Sequence, residues 1–161
     1  MTDLNKLLTP LYLSDRETRK IIELIFFSYR EFTSGPDKIL NILGFGRAHH
    51  RIIYFVGKHE KITIKDLLII LRITKQSLSR VLNQLVKEKY ILLTSGEDKR
   101  TKNLSLTNKG IELEKQLSSI QISKLKDIMK DTDEKDINGF KKLLYKMIDR
   151  SSKKIFDNFN S

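Results

Sequence analysis

Four polar side chains recur along one stretch of the sequence at a spacing that suits the recognition of DNA bases. The stretch is ITKQSLSRVLNQLVKEKYI, and the four residues are Gln76, Arg80, Asn83 and Lys87. Steps of four, three and four residues place them on one face of an α-helix. Gln, Asn and Arg form paired hydrogen bonds with base edges, and Lys neutralises phosphates. The pattern therefore predicts a helix that presents a base-reading face.

The rest of this helix, predicted over about 75–89, is organised around that face. Its opposite side is apolar and consists of Leu78, Val81, Leu82 and Leu85. Thr74 is predicted to cap the N-terminus, because its hydroxyl can accept a backbone N–H of the first turn. The candidate DNA-contacting residues are Thr74, Lys75, Gln76, Ser77, Ser79, Arg80, Asn83 and Lys87, with Lys75 and Lys87 expected on phosphates.

A shorter helix precedes this one, and a β-hairpin follows it. Thr63 and Asp66 form a possible capping box for a helix that ends near Leu71. The segments YILLTS and NLSLT have strand composition, and the loop GEDKRTK between them carries Lys99 and Arg100 as further candidate DNA contacts. Two helices joined by a tight turn and followed by a hairpin predict a winged helix-turn-helix, whose projecting hairpin is the wing.

Amphipathic helices are predicted on both sides of this unit. On the N-terminal side, Ser14 and Glu17 open a helix that TSGP at 33–36 is expected to end, and a second helix lies within GFGRAHHRIIYFVGKHE. On the C-terminal side, Thr107 caps a helix to about 130, and one last helix spans about 133–157. Their apolar stripes exceed what a small winged domain needs, which favours dimerisation.

The predicted fold class is therefore mainly α with a small β wing: a winged helix-turn-helix with N- and C-terminal dimerisation helices. The chain is expected to form a single domain over 1–161. Its DNA-binding lobe is predicted at 62–107, and its helical dimerisation region at 14–32 and 108–157.

Positive charge is concentrated in the predicted lobe. The net charge of the chain is +11, and residues 61–102 contribute +6 of it, from 10 basic and 4 acidic side chains. Such a local excess indicates a polyanionic partner such as double-stranded DNA. The charge alone also fits a lysine-rich, solvated surface.

Several other classes of function lack the residues they require. The chain has no Cys, so thiolate metal sites and thiol redox sensing are excluded. No apolar run approaches the ~20 residues of a membrane span, and MTDLNKLLTP has no export-signal pattern, so no membrane partner and a cytoplasmic location are expected. No enzyme motif is present: there is no P-loop, G-x-S-x-G, H-E-x-x-H or CxxC, so neither catalysis nor a cofactor is expected.

Three histidines and a group of aromatic residues leave two questions open. His49, His50 and His59 include no His-x-x-x-His pair, so no metal site is expected. Instead, one histidine is expected to pack between helices, and another to cap a helix or face solvent. The Phe and Tyr residues of the first two helices can form a helical core, or they can line a cavity for a small-molecule effector of unknown identity.

Two segments together resemble the MarR family of bacterial regulators. DKRTKNLSLTNKG resembles the family's wing signature, D-x-R followed by L-x-L-T-x-x-G, and ITKQSLSRVLNQLVKEKYI resembles its recognition helix. GFGRAHHR is similar to the second helix of the PetP-type subgroup. The resemblance implies a homodimer with interlaced terminal helices, two wings and a palindromic operator. It also implies that Arg100 enters the minor groove and that Asp98 shapes the wing.

The sequence thus predicts a sequence-specific DNA-binding transcriptional regulator that acts as a homodimer. The alternative is a nonspecific architectural DNA-binding protein that uses the same surfaces. A third hypothesis is a protein-interaction module that has lost DNA binding. The polar outer face of Gln76, Arg80 and Asn83 favours base reading, because a purely architectural surface would consist mostly of Lys and Arg.

Overall fold

A computed structural model describes residues 13–96 and 101–160 of the chain. Within these ranges the protein has seven α-helices and one two-stranded antiparallel sheet. In chain order the elements are α1 (Asp15–Ile42), α2 (Arg47–Lys58), α3 (Ile64–Leu71), α4 (Lys75–Lys87), β1 (Ile91–Ser95), β2 (Lys102–Leu106), α5 (Asn108–Met129), α6 (Glu134–Met147) and α7 (Arg150–Asn160).

The helix-turn-helix consists of α3 and α4, and local hydrogen bonds fix both of its starts. Thr63 and Asp66 form the predicted capping box: the Thr63 Oγ1 accepts the N–H of Asp66, and the Asp66 carboxylate accepts the N–H of Thr63 at 2.9 Å. Thr74 caps α4 as predicted. Between the two helices, Arg72 ends α3 with a left-handed backbone, at φ 50°, which makes the connection short.

The hairpin that follows is the predicted wing. Its strands pair antiparallel, with Ile91 opposite Leu106 and Ser95 opposite Lys102. A third backbone segment joins its free edge, where the N–H of Leu104 donates to the carbonyl of Ile62 at 2.8 Å and Thr63 pairs with Asn103. The wing is therefore hydrogen-bonded to the residues that begin α3, so the hairpin and the helix-turn-helix form one structural unit.

The hydrophobic core lies where α2, α4, α5 and the hairpin meet. Its fully buried side chains include Ile52 and Ile53 of α2, Leu78 and Leu85 of α4, Ile91 and Leu104 of the hairpin, and Leu117 of α5. Burial of each such side chain contributes about 1.5–3 kcal/mol. Because one side of α4 is held in this core, the opposite side must face solvent.

The prediction that TSGP ends the first helix is wrong, because α1 continues through Pro36 to Ile42. Pro36 has no N–H for the carbonyl of Phe32, and the Nε2 of Gln121 in α5 donates to that oxygen instead, at 3.5 Å. Gly35 lies so close to α5 that a β-carbon there would stand 2.6 Å from Ile120. Packing against α5 thus compensates for the two residues that disfavour helix.

The prediction of a single last helix over 133–157 is also wrong. The chain extends at Ile148, with ψ 144°, and α7 begins again at Arg150. Asp149 stabilises this new start, since its carboxylate accepts the N–H of Ser152 at 2.7 Å. At the other end of the chain, the Ser14 cap of α1 forms, but the Glu17 carboxylate binds Lys20 at 2.7 Å.

Candidate nucleic-acid interface

The exposed face of α4 contains most of the residues predicted to contact DNA. Gln76, Arg80, Asn83 and Lys87 are exposed, whereas Leu78, Val81, Leu82 and Leu85 are buried on the other side. The α-helical spacing anticipated from the sequence is therefore present, and it brings the four polar side chains to one face. A protruding α-helix of this kind fits the major groove of DNA, which is about 12 Å wide.

The N-terminal end of α4 carries the remaining candidates of this helix. Lys75 and Ser79 are exposed, and Ser77 is half-buried. The hydroxyl of Thr74 accepts the N–H of Ser77 at 3.1 Å and lies 3.0 Å from the Ser77 hydroxyl. Thr74 and Ser77 thus form the helix cap itself, and a helix N-terminus also favours a nearby phosphate.

The base of the wing is held by Thr107, which also begins α5. Its hydroxyl donates to the carbonyl of Lys89 at 2.7 Å and accepts the N–H of Gly110 at 3.0 Å. Gly110 lies against the short segment between α4 and β1, because a β-carbon there would stand 2.1 Å from the carbonyl oxygen of Tyr90. The Thr and the Gly of the motif LSLTNKG therefore join the start of α5 to the segment that connects α4 with the wing.

The three other candidates from the sequence, Asp98, Lys99 and Arg100, lie outside the described residues. Lys102, which follows them closely in the sequence and begins β2, is exposed.

Sequence reasoning did not predict the hydrogen bond between His49 and Gln84, which connects α2 to α4 behind the candidate interface. The His49 ring stacks on Phe45 with ring centres 4.6 Å apart. Its Nδ1 accepts the N–H of Gly46 at 3.1 Å, so its Nε2 carries the proton and donates to the Gln84 Oε1 at 2.9 Å. The Gln84 Nε2 in turn donates to Glu88 at 3.0 Å. A hydrogen-bonded chain thus fixes α4 on α2.

The other two histidines are half-buried and lie in separate places. Burial lowers the pKa of His50, which also lies near Asp37, Glu114 and Arg51. Burial lowers the pKa of His59, and the positive charge of Lys58 makes a smaller contribution in the same direction. His49 both packs between helices and caps α2, so the two roles that were expected of two different histidines belong to one residue. In the described ranges, no group of three or more His, Asp or Glu side chains is arranged to hold a metal ion.

A cavity of about 420 Å³ lies between α1, α2 and α5. The aromatic residues Tyr29, Phe32, Tyr54 and Phe55 form much of its wall, together with Arg47, Arg51, His50 and Ile122. Polar contacts fix part of the rim, because Arg47 binds Asp37 at 2.9 Å and Arg51 donates to the Tyr29 hydroxyl at 3.0 Å. Four aromatic residues of the first two helices thus line a cavity, and one of them, Phe55, also packs against the hydrophobic core.

A helix-turn-helix, a hairpin bonded to it, and longer helices around both define a winged helix-turn-helix protein, as predicted. No helix in the described part of the chain is long and apolar enough to cross a membrane. A sequence model of the MarR family matches residues 43–101. The HTH-type transcriptional regulator PetP of Rhodobacter capsulatus is 40% identical over 142 residues, which cover 88% of this chain and 86% of that protein.

Solved structures of this type share the fold at lower identity. The crystal structure of Streptococcus pneumoniae FabT in complex with DNA matches with a TM-score of 0.70 at 20% identity, covering 81% of this chain and 94% of FabT. The S. aureus MepR–DNA complex matches with a TM-score of 0.64 at 23% identity, covering 78% of this chain and 93% of MepR.

The chain belongs to the MarR family of transcriptional regulators. This assignment confirms the predicted family and fold class. It also confirms that the protein is a DNA-binding regulator and not an enzyme.

Proposed function

We propose that this chain is a sequence-specific transcriptional regulator that acts in the cytoplasm as a homodimer on a palindromic operator. The observation that carries the proposal is the face of α4, where Gln76, Arg80 and Asn83 are exposed while the leucines behind them are buried. Amide and guanidinium groups can each form two hydrogen bonds with a base edge, so this face suits base reading. S. pneumoniae FabT and S. aureus MepR, which share the fold, were crystallised with DNA.

In this proposal, residues 62–107 form the DNA-binding lobe of a single domain. Gln76, Ser77, Ser79 and Arg80 contact bases or backbone near the N-terminal end of α4, with Thr74 at its start, and Asn83 contacts DNA from the same face of the helix. Lys75 and Lys87 neutralise phosphates, and Lys99 and Arg100 reach the DNA from the wing, which Asp98 shapes.

Exposed apolar side chains on the outer helices support the homodimer. In α1, Ile22, Leu24 and Phe26 are 63–66% exposed, and in α6 none of the residues is buried. Leu143 and Met147 of α6 are 63% and 64% exposed. A single chain that leaves this much apolar surface in water is stabilised when a second copy covers it.

The dimer is tested by placing a charge on the apolar stripe. We expect Leu143→Glu to give the monomer mass in light scattering at micromolar concentration, because a carboxylate in the interface would lose its hydration. Ile69→Glu on α3, where the native side chain is 49% exposed, is the matched control and should remain a dimer. A monomeric mass for the unmodified protein would contradict the homodimer.

Sequence-specific recognition is tested by selecting bound DNA from a random library. We expect one palindrome to be enriched, with half-sites about one helical turn, ~34 Å, apart. Insertion of five base pairs between the half-sites should abolish tight binding, since it rotates one half-site to the opposite side of the duplex. Equal retention of all sequences would support the alternative, a nonspecific architectural protein. No retention of any DNA would support the third hypothesis, a protein-interaction module.

The salt dependence of binding tests the electrostatic part of the proposal. Each phosphate that the protein neutralises contributes about −0.9 to the slope of log affinity against log salt. The region 61–102 has a net charge of +6, and a dimer carries two such regions. We expect a slope that corresponds to about six or more phosphates. A slope near zero would contradict the proposal that the basic region 61–102 neutralises DNA phosphates.

The cavity between α1, α2 and α5 supports a second part of the proposal, a small-molecule effector. Its volume of about 420 Å³ and its aromatic walls suit a small, mainly apolar molecule. A library of such compounds should contain members that raise the melting temperature. Ile122→Trp, which fills the cavity, should abolish the increase, whereas Ile128→Trp should not, because Ile128 is exposed on the same helix and does not line the cavity.

A further inference from the structure

The C-terminal helix α7 lies against α2 and α3, where three separate contacts hold it. Near its end, the Phe159 ring stacks on His59 with ring centres 3.8 Å apart. Beside this pair, the Lys58 ammonium donates to the Asn160 Oδ1 at 3.1 Å. At its start, the Arg72 guanidinium donates to Asp149 at 2.8 Å.

The contact at the start of α7 connects it to the helix-turn-helix. The Arg72 guanidinium also donates to the hydroxyls of Ser151 at 2.6 Å and Ser152 at 3.3 Å. The hydrogen bond from the N–H of Ser152, and to a smaller extent that from Arg72, holds the pKa of the Asp149 carboxyl well below its usual range. The carboxylate therefore stays charged. Because Arg72 stands two residues before Thr74, these bonds join α7 to the turn that precedes α4.

Few apolar contacts hold α7 in place. None of its residues is buried, Phe156 is 51% exposed, and Ile155 and Phe159 are half-buried. A helix of 11 residues is marginal in water without packing partners. The docked position of α7 therefore depends on a small number of side chains, and loss of one of them weakens the docking.

The stacking of His59 on Phe159 is the contact that can be lost reversibly. The His59 Nε2 is buried and has no hydrogen-bond partner. The His59 ring stacks on two phenylalanine rings, with ring centres 3.8 Å apart for Phe159 and 6.3 Å apart for Phe55. A neutral ring tolerates this site, but an imidazolium would place an N–H and a positive charge where neither water nor an acceptor reaches the nitrogen.

Among the described residues, those that line the same space as His59 supply no negative charge that would compensate. His59 lines a space of about 320 Å³ between α2, α3 and α7, and the wall from α3 is Ile70. From α2 the charged neighbour is Lys58, and from α7 the neighbours are Phe159 and Asn160. None of the described residues that line this space is an acid, and Asp157 of α7 is engaged by the Tyr145 hydroxyl at 3.0 Å.

We propose that α7 is a pH-sensitive strap, which lies closed on α2 and α3 while His59 is neutral and detaches when His59 takes up a proton. A histidine that is freed into water regains its ordinary pKa, near 6.5. Since burial and Lys58 lower the pKa in the closed state, the proton binds preferentially to the open state. The strap is therefore closed above about pH 6.5 and opens as the pH falls below that value. This inference does not depend on the proposed DNA recognition.

The test is hydrogen exchange of the α7 amides in the full chain at pH 7.5 and 5.5, with each rate divided by its intrinsic value at that pH. We expect protection of α7 to be lower at pH 5.5, by at most about tenfold, which is the limit for a free histidine of ordinary pKa. His59→Phe keeps an aromatic ring against Phe159 but cannot titrate. Its α7 protection should be equal at the two pH values.

Two further variants separate the strap from other causes. His50→Phe removes the other half-buried histidine, in the cavity between α1, α2 and α5, and should keep the full pH response of α7. Arg72→Gln should lower the protection of α7 at both pH values and keep the ratio between them. Unchanged protection of the α5 amides reports that each variant is folded. A pH-independent α7 in the unmodified protein, or an unaltered pH response in His59→Phe, would overturn the proposal.

Discussion

The imidazole of His49 and the side-chain amide of Gln84 join α2 to α4 through a hydrogen bond of 2.9 Å. Gln84 is half-buried and directed at the body of the protein, whereas its neighbour Asn83 is exposed. These two adjacent amides of α4 therefore lie in different surroundings: Gln84 holds the helix on α2, and Asn83 is exposed on the face proposed to contact DNA.

Gln84→Ala should consequently affect the stability of the protein, whereas Asn83→Ala should affect its binding to DNA. We expect Gln84→Ala to lower the free energy of unfolding by about 1–3 kcal/mol, because the buried His49 N–H loses its acceptor. Asn83→Ala should change stability by less than about 0.5 kcal/mol and weaken operator binding instead. Urea unfolding and operator titration measure the two quantities. Equal stability of the two variants would show that the His49–Gln84 bond does not hold α4.

Replacement of Gly110 should destabilise the protein severely. A β-carbon in Gly110→Ala would stand 2.1 Å from the Tyr90 carbonyl oxygen, so α5 must move away from the residue that precedes β1. We expect a loss of more than about 2 kcal/mol, as for other overpacked sites. Gly139→Ala is the control, since nothing lies within 4 Å of its β-carbon. It should raise the melting temperature, because Ala favours a helix by about 0.5–1 kcal/mol.

Loss of the Thr74 cap should lower the stability of the protein. The Thr74 hydroxyl accepts the N–H of Ser77 at 3.1 Å, and Thr74→Val removes that acceptor at nearly constant size. We expect a loss of about 0.5–2 kcal/mol in unfolding free energy. Thr74→Ser retains the hydroxyl and should restore stability. If Thr74→Val is as stable as the unmodified protein, the cap does not contribute to the start of α4.

The wing is tested by comparing two basic residues near its tip. We expect Arg100→Ala to weaken operator binding by about 1–3 kcal/mol per contact, because arginine suits the negative potential of a narrow minor groove. Lys102→Ala, an exposed position at the start of β2, should have a smaller effect. Asp98→Ala should act weakly and indirectly. Affinities are measured at fixed salt, with melting temperature as the control. Equal affinities for the Arg100 and Lys102 variants would refute the wing contact.

The sequence by itself determined the helix-turn-helix and the wing, because the interactions that define them are local. Thr63 pairs with Asp66, and Thr74 with Ser77, three residues away in each case. The helical repeat of Leu78, Leu82 and Leu85 likewise predicts which face of α4 is buried. Such short-range patterns can be recognised without knowledge of the tertiary structure.

Only the tertiary structure decided the features that depend on distant partners. The helix α1 continues through Pro36 because Gln121, far along the chain in α5, donates to the carbonyl that the proline leaves free. Gln84 faces His49 rather than solvent because α2 packs on that side of α4. The break between α6 and α7 coincides with the hydrogen bond that Arg72, the residue that follows α3, donates to Asp149. Propensities within one segment carry no information about which side chain another segment will bring into contact, so packing overrides them at these places.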